Sequence, residues 1–164
     1  MKILAIDPGP ERSSYALWDG VKLYDFGYIE NAKGFDKEEH ADYLLSVADA
    51  VVFERVACYG MPVGVSIFET VYWTGRLIEQ WIYITAVKPF HRVERKTVKM
   101  HLCQSMRAKD SNIIQALKDR FGDKGTKNKP GFFYGFASDM WQAFALAVCF
   151  IDQLELNQQA TAKE

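Results

Sequence analysis

The sequence has 164 residues, of which 49% are hydrophobic and 14% aromatic, so its length and composition predict one folded domain and exclude a disordered chain. The apolar stretches are shorter than a membrane span, and the short apolar run after Lys2 ends at Asp7, so we expect neither a membrane helix nor a secretory signal. The three cysteines (Cys58, Cys103 and Cys149) are odd in number and far apart, which disfavours a disulfide framework and indicates a reducing cytoplasm.

The chain opens with a predicted three-strand antiparallel meander. Residues 2–6 form an apolar run typical of a buried strand, and the Pro-Gly-Pro sequence that follows Asp7 cannot continue it. Asp7 is therefore expected at the carboxyl end of a central strand, where a carboxylate is unfavourable unless a metal or a donor pairs with it. Residues 14–19 and 21–30 predict two further strands joined by a tight Asp-Gly turn.

Helices and strands alternate through the middle of the chain. Residues 38–48 predict a short helix, and an apolar strand from residue 50 ends at Glu54, which repeats the pattern of Asp7. Apolar spacings of three and four predict a helix over residues 63–85. The segment TAVKPFH, residues 85–91, predicts a short strand that ends at Pro89.

The last third of the chain predicts mainly helix. The basic segment 95–105 connects to a helix capped by Asp110 or Ser111 and ended by Gly122, and a loop covers residues 123–131. Ser138 is predicted to cap a closing helix that carries Asp139 in its first turn. The element order describes one α/β domain over residues 1–157, followed by a tail, 158–164, that we expect to be disordered.

Basic residues concentrate in one segment although the net charge of the chain is only −1. Residues 88–129 hold twelve Lys and Arg against four Asp and Glu, a net charge of +8, which leaves −9 on the rest of the chain. This asymmetry indicates a face that attracts a polyanion such as DNA. A solvated helix face next to a charged loop is an equally compatible interpretation of the charge alone.

Three acids form a candidate site. Taken alone, Asp139 could simply complement a helix dipole, but Asp7 and Glu54 end adjacent buried strands and Asp139 begins a helix packed over them. Like charges that meet in a partly buried place need cations, and oxygen ligands without a His or Cys cluster favour Mg²⁺ or Mn²⁺. Two such ions about 4 Å apart can activate water and stabilise the leaving oxygen of a phosphodiester.

The opening ILAIDPGPERSSYALW resembles that of the RuvC-type Holliday junction resolvases, a family of the RNase H-like superfamily. The order of the acids Asp7, Glu54 and Asp139 and the basic stretch KTVKMHLCQSMRAKDSNIIQAL are similar to that family as well. The segments AKDSNIIQALKDRFG and GFFYGFASDMW resemble a phage-encoded branch, which implies a host cytoplasm. The resemblance implies an RNase H-like mixed five-stranded sheet flanked by helices.

The same resemblance implies a metal-dependent endonuclease that resolves four-way DNA junctions by paired nicks with two Mg²⁺ ions per site, for which Mn²⁺ substitutes. Asp7, Glu54 and Asp139 would then be catalytic metal ligands. Lys99 and Lys109 match the family's basic positions for phosphate contacts, and the remaining candidates for DNA binding are Lys96, Arg107, Lys127 and Tyr59. A homodimer would form through helix 63–85, whose rings are Phe68, Tyr72, Trp73, Trp81 and Tyr83.

Two positions depart from the family's pattern. Gln142 stands where the family usually has a second acid in the last helix and would be a neutral metal ligand. Ala57 stands where the family tends to have an aromatic residue against opened bases, and Tyr59 is the nearest ring. A flap or replication-fork nuclease and a catalytically weak branched-DNA-binding protein therefore stay open as alternatives. An ATP-binding actin-like or sugar-kinase fragment is disfavoured because such proteins need more than twice this length.

Overall fold

The computed structural model describes residues 1–35, 40–58, 60, 62–86 and 88–161. One sheet has the order β3-β2-β1-β4-β5. Its strands are β1 (Ile3–Asp7), β2 (Arg12–Trp18), β3 (Leu23–Glu30), β4 (Ala50–Arg55) and β5 (Phe90–Glu94). The first three are antiparallel neighbours, and β4 and β5 run parallel to β1. The helices are α1 (Ala41–Val47), α2 (Val65–Thr85), α3 (Arg95–Cys103), α4 (Asp110–Phe121) and α5 (Met140–Thr161). This α/β architecture with a mixed five-stranded sheet confirms the predicted fold class.

The sheet separates two apolar cores because successive strand residues point to opposite faces. One core holds Ile3, Ala5 and Val52 against the buried sides of α3, α4 and α5. The other holds Leu4, Ile6 and Phe53 against α1 and α2. Asp7 lies two residues after Ala5, and Glu54 lies two residues after Val52. Both acids therefore face the same side of the sheet as α3, α4 and α5.

An aromatic cluster fixes the loop that leads into α5. Phe133 and Phe136 are fully buried and pack against Phe144 of α5, with ring centroids 5.5 and 5.9 Å from it. Trp18 of β2 packs edge-on against Phe144 at 5.2 Å. This packing ties the start of α5 to the sheet. None of the helices that the structure describes combines the length and the apolarity needed to cross a membrane.

The prediction of a strand that ends at Pro89 is wrong. Helix α2 ends at Thr85 as predicted, and Ala86, with a φ of 56°, follows as its C-cap. Strand β5 begins only at Phe90, after Pro89, whose ring nitrogen has no hydrogen to donate to a ladder. The Pro89 carbonyl still accepts a hydrogen bond from the Val51 N–H at 3.1 Å, so the strand starts against β4 immediately afterwards.

Several helix boundaries also differ from the predictions. Lys109, rather than Asp110 or Ser111, is the N-cap residue of α4, and its N–H donates to Asn112 Oδ1 at 2.9 Å. Gly122 ends α4 as predicted. Ser138 does not cap α5, because its φ of 38° lies in the left-handed region, and Asp139 immediately precedes the helix instead of lying in its first turn. Residues 158–161, assigned to the tail, form the last turn of α5.

Candidate active site at the carboxyl edge of the sheet

Strand register brings Asp7 and Glu54 to the same edge of the sheet. Ile6 and Phe53 are directly paired in the parallel ladder between β1 and β4, and each acid is the next residue of its strand. Both acids are partly exposed where the strands end. The structure therefore brings together the two strand-end carboxylates as the sequence predicted.

Asp139 reaches this edge from α5. Its carbonyl accepts hydrogen bonds from the Gln142 N–H at 2.8 Å, within the first turn, and from the Ser14 hydroxyl at 2.9 Å. Ser14 is the cross-strand partner of Asp7, so the hydroxyl fixes the start of α5 beside Asp7. The Asp139 side chain is exposed to solvent.

The loop after Asp7 has a fixed shape. A Cβ on Gly9 would lie 2.4 Å from the Arg12 carbonyl oxygen, so only glycine fits there without a shift of the backbone. Asn31 is buried and donates through Nδ2 to the Gly9 carbonyl at 2.8 Å, while its Oδ1 accepts from the Ser13 hydroxyl at 2.8 Å. This network turns the chain away and leaves the Asp7 carboxylate at the open edge.

Arg95 and Asp110 complete the candidate site. The Arg95 guanidinium donates through Nη1 to both carboxylate oxygens of Glu54, at 3.2 and 3.0 Å. Its Nη2 donates to Asp110 Oδ1 at 2.9 Å. Because Arg95 begins α3 and Asp110 begins α4, the first turns of these helices meet near the start of α5. The Arg95 guanidinium therefore lies among the acids and is hydrogen-bonded to two of them, Glu54 and Asp110.

The acids carry more negative charge than the surrounding groups offset. Burial and then the Glu54 carboxylate raise the pKa of Asp7 well above its usual value, and Arg95 only partly compensates. Asp139 and Asp110 raise the pKa of Asp7 further. Burial also raises the pKa of Glu54, although Arg95 and Lys99 act in the opposite direction. A site of this kind favours an additional cation.

The donor set fits a hard divalent cation by its chemistry, since it consists of carboxylates, and burial raises the pKa of two of them, Asp7 and Glu54. Its present arrangement is not that of a finished metal centre. Over the described residues, no three Asp, Glu, His or Cys side chains lie in a group that could hold a metal ion. Arg95 lies on the Glu54 oxygens that such an ion would use. Asp7, Glu54 and Asp139 are thus the residues that could hold the cation, once Glu54 is free.

The predicted DNA-binding residues lie in different places. Lys99, on α3, is close enough to Glu54 to lower the pKa of its carboxyl. Lys96 pairs with Glu94 at 2.8 Å, and Arg107 and Lys109 are exposed in the turn between α3 and α4. Lys127 is exposed in the loop closed by a bridge between Gly125 and Pro130. Tyr59 lies outside the described residues, and Gln142 lies buried in α5, one turn after Asp139.

The outward side of α2 carries several large apolar side chains that are exposed. Phe68, Tyr72 and Tyr83 are 63%, 53% and 86% exposed, and Val65, Val71 and Ile82 are exposed beside them. Trp81, which the sequence analysis grouped with these rings, is instead fully buried, packs on Phe35 and donates through Nε1 to the Lys88 carbonyl at 3.1 Å. Contiguous exposed apolar residues of this kind mark an interaction surface.

Sequence reasoning missed Arg95, Asp110 and Asn31 as parts of the site. The signal for Arg95 was present, because the residue that follows β5 lies at the same edge as Glu54 when β4 and β5 run parallel. Placing the strand at residues 85–91 moved its end away from Arg95. Asp110 was interpreted only as a helix cap, although its carboxylate contacts Arg95.

Comparison with solved structures identifies the class of fold to which this chain belongs. No family model and no curated protein matches the sequence. Among solved structures, RuvC of Thermus thermophilus superposes with a TM-score of 0.65 at 16% identity, covering 96% of this chain and 97% of RuvC. The yeast mitochondrial Holliday junction resolvase Ydc2 gives 0.59 at 14% identity, over 91% of this chain and 77% of Ydc2.

The fowlpox virus resolvase, in a structure with Holliday junction DNA, gives a TM-score of 0.53 at 13% identity over 94% of this chain and 99% of the resolvase. These likenesses extend over nearly the whole chain, so the chain has the same fold as these solved resolvases. This agrees with the family that the opening motif and the order of acids resemble.

Proposed function

We propose that this protein is a divalent-metal-dependent endonuclease that resolves four-way DNA junctions by paired nicks. One observation carries the proposal: Asp7 and Glu54 end neighbouring strands at the carboxyl edge of the sheet, Ser14 holds Asp139 beside them, and burial and then the Glu54 and Asp139 carboxylates raise the pKa of Asp7. Because the likeness to solved resolvases is in the fold, the acids at this edge are the specific support for nuclease chemistry.

In the proposed reaction, Asp7, Glu54 and Asp139 hold the cation, with Gln142 as a neutral ligand one turn further along α5. Bound Mg²⁺, or Mn²⁺ in its place, two ions per site, would lower the pKa of the attacking water and stabilise the charge on the leaving oxygen. The partial positive charges at the first turns of α3, α4 and α5 favour a phosphate at the same edge.

The basic segment orients the DNA in this proposal. Lys99 lies nearest to the acids, and Lys96, Arg107 and Lys109 continue the positive surface along α3 and the turn before α4. Contacts of this type bind the phosphate backbone and make affinity fall with salt. Lys127 extends the surface from the loop before α5, and Tyr59 remains the candidate for stacking on bases.

A homodimer is part of the proposal, because two nicks in opposed strands need two sites. The exposed apolar side of α2 supports it, since Phe68, Tyr72 and Tyr83 offer a surface that a second copy can bury. We place the protein in the cytoplasm, that of the host if it is phage-encoded, and the thiols of Cys58, Cys103 and Cys149, none of which is in a disulfide, suit a reducing compartment.

The test is cleavage of a labelled four-way junction beside a flap and a linear duplex of matched sequence, each in Mg²⁺, Mn²⁺ and EDTA. We expect paired symmetric nicks in the junction only, abolished by EDTA. Faster cutting of the flap would assign the protein to flap or fork processing instead. Tight junction binding without any cut in either metal would contradict the enzyme and leave a branched-DNA-binding protein.

A further inference from the structure

The Arg95 side chain lies where a bound cation would have to act. One nitrogen of its guanidinium, Nη1, donates to both oxygens of Glu54 at 3.2 and 3.0 Å, so neither carboxylate oxygen is free of it. The Glu54 side chain is only 14% exposed, which strengthens a charge-assisted pair of this kind. A cation that takes the Glu54 oxygens as ligands therefore competes with Arg95 for the same carboxylate.

The displaced guanidinium has both a second acceptor and room to move. Nη2 donates to Asp110 Oδ1 at 2.9 Å, and the Asp110 side chain is 58% exposed at the start of α4. A cavity of about 270 Å³ opens beside the pair, and its lining consists of the pair itself and of Pro8, Arg55, Val56, Ala57, Ile67 and Thr70. Ile113 and Leu117 are fully buried in the core, so Asp110 stands on a fixed helix.

We propose that Arg95 is a counter-ion of Glu54, that a divalent cation competes with it for the Glu54 carboxylate, and that Asp110 is the positioning residue that keeps the displaced guanidinium beside the site. This inference rests on the proposed function, because it concerns the same acids. The released guanidinium faces the edge where the DNA phosphate is held. Exchange of one cation for another keeps the buried carboxylates paired throughout.

The first test measures Mn²⁺ binding to the DNA-free protein through the electron paramagnetic resonance signal of free Mn²⁺. Arg95→Gln removes the competing contact, and we expect Mn²⁺ to bind about tenfold more tightly or better. Lys99→Gln is the matched control, since Lys99 also acts on the charge of Glu54 but does not lie on its oxygens. We expect it to change the affinity no more than about threefold.

Equal gains in Mn²⁺ affinity in Arg95→Gln and Lys99→Gln would overturn the inference. The gain would then come from the loss of a nearby positive charge and not from the loss of the contact with the Glu54 oxygens. An unchanged or weaker affinity in Arg95→Gln would overturn it as well. Thermal melts check that each variant folds. If Arg95→Gln does not, Arg95→Lys supplies the measurement, since a lysine lacks the planar fork of the guanidinium, and Mn²⁺ is expected to bind a few-fold more tightly than in the wild type.

The second test concerns Asp110. In Asp110→Asn the displaced guanidinium loses its charged acceptor, so we expect single-turnover junction cleavage at saturating protein to slow about fivefold to tenfold. Junction affinity in Ca²⁺ should stay within twofold, and Asp110→Glu should restore most of the rate. Cleavage at the wild-type rate, or a loss that appears in affinity alone, would overturn the role of Asp110.

Failure of this inference can be told from failure of the proposed function. A wild-type chain that binds Mn²⁺ no better than Asp7→Asn and cleaves no DNA overturns both. A wild-type chain that binds Mn²⁺ and cleaves junctions, while Arg95→Gln and Lys99→Gln behave alike, overturns only the exchange of Arg95 for the cation.

Discussion

The two faces of the sheet carry different kinds of unfinished surface. The face under α3, α4 and α5 has a continuous apolar core, and its open end carries Asp7, Glu54 and Asp139, with the Arg95 guanidinium on Glu54. The face under α1 and α2 is closed by Trp81 and Leu77, but α2 turns Phe68 and Tyr72 outward. The acids of the first face are only partly compensated by Arg95, and the second face exposes apolar side chains, which separates the proposed site for chemistry from the proposed site for assembly.

The largest expected effect concerns the acids at the carboxyl edge of the sheet. Asp7→Asn should slow junction cleavage on the order of 10⁴-fold, roughly 5.5 kcal/mol of transition-state stabilisation, because it removes the central carboxylate of the site. The melting temperature should stay equal or rise, since burial and the other acids oppose ionisation of Asp7. Single-turnover cleavage and calorimetry measure the two effects.

Asp123→Asn is the control for this substitution, because Asp123 is an exposed loop acid whose nearest cation, Lys118, is 3.7 Å away. It should cleave at the wild-type rate. An Asp7→Asn variant whose cleavage rate stays within tenfold of the wild-type rate would show that the candidate site does not carry out the reaction. The first face of the sheet would then have no role in cleavage.

The next effect tests how firmly the core holds the start of α5. Phe133→Ala should lower the free energy of unfolding by about 3–4 kcal/mol, because Phe133 is fully buried among Phe136, Trp141 and Phe144. Chemical denaturation measures this change. The neighbouring Tyr134→Ala, at a ring that is 42% exposed, should cost less than about 1 kcal/mol. Equal losses in both variants would contradict the anchoring role of the cluster.

The sequence alone was sufficient for the buried strands and for Asp7 and Glu54. Both acids follow apolar runs that only a central strand explains, and parallel pairing then sets them side by side. Asp139 was predicted one residue too far into its helix, because Ser138 was taken as the cap although its backbone adopts a left-handed conformation. The class of fold was therefore predictable from local patterns.

Arg95 and Asp110 were not predicted, for a physical reason. Their role depends on a contact between the starts of two helices, which no periodicity encodes. Helix α2 ends at Thr85, as its apolar spacing predicted. The strand after it was placed too early, because β5 begins only after Pro89, where the Pro89 carbonyl accepts a hydrogen bond from the distant Val51 N–H.

A third prediction addresses the apolar face. Phe68→Glu combined with Tyr72→Glu places two charges on one side of α2, because residues four apart are neighbours on a helix. We expect the dissociation constant of the dimer to rise at least about 100-fold, since each buried aromatic contributes strongly to an interface. Sedimentation velocity measures the change, and circular dichroism confirms that the helix content is kept.

Val21→Glu is the matched control for that pair, because Val21 is 86% exposed in the turn between β2 and β3, away from α2. It should leave the association state unchanged. A double variant that sediments like the wild type would show that the outward rings of α2 are not the interface. The second face of the sheet would then have no role in assembly.

The smallest effect concerns the ion pair between Arg120 of α4 and Asp152 of α5. Burial alone would raise the pKa of Asp152, but hydrogen bonds from Arg120 and His101 lower it. A lowered pKa in the folded state means that this stabilisation is present above the unfolded value, about 3.9, and is lost as the pH falls through the folded value. Asp152→Asn should therefore cost stability at neutral pH.

The cost should be no more than about 1 kcal/mol at pH 7, because the Arg120 side chain is 45% exposed and water screens the pair. Urea denaturation from pH 7 to pH 3 should show the difference between wild type and Asp152→Asn shrinking below about pH 4. Asp119→Asn, which removes the charge from an exposed acceptor of Gln115 on α4, should show no such convergence. A difference that grows in acid would mean that Asp152 is protonated in the folded protein, and α4 would then be held to α5 by its apolar contacts alone.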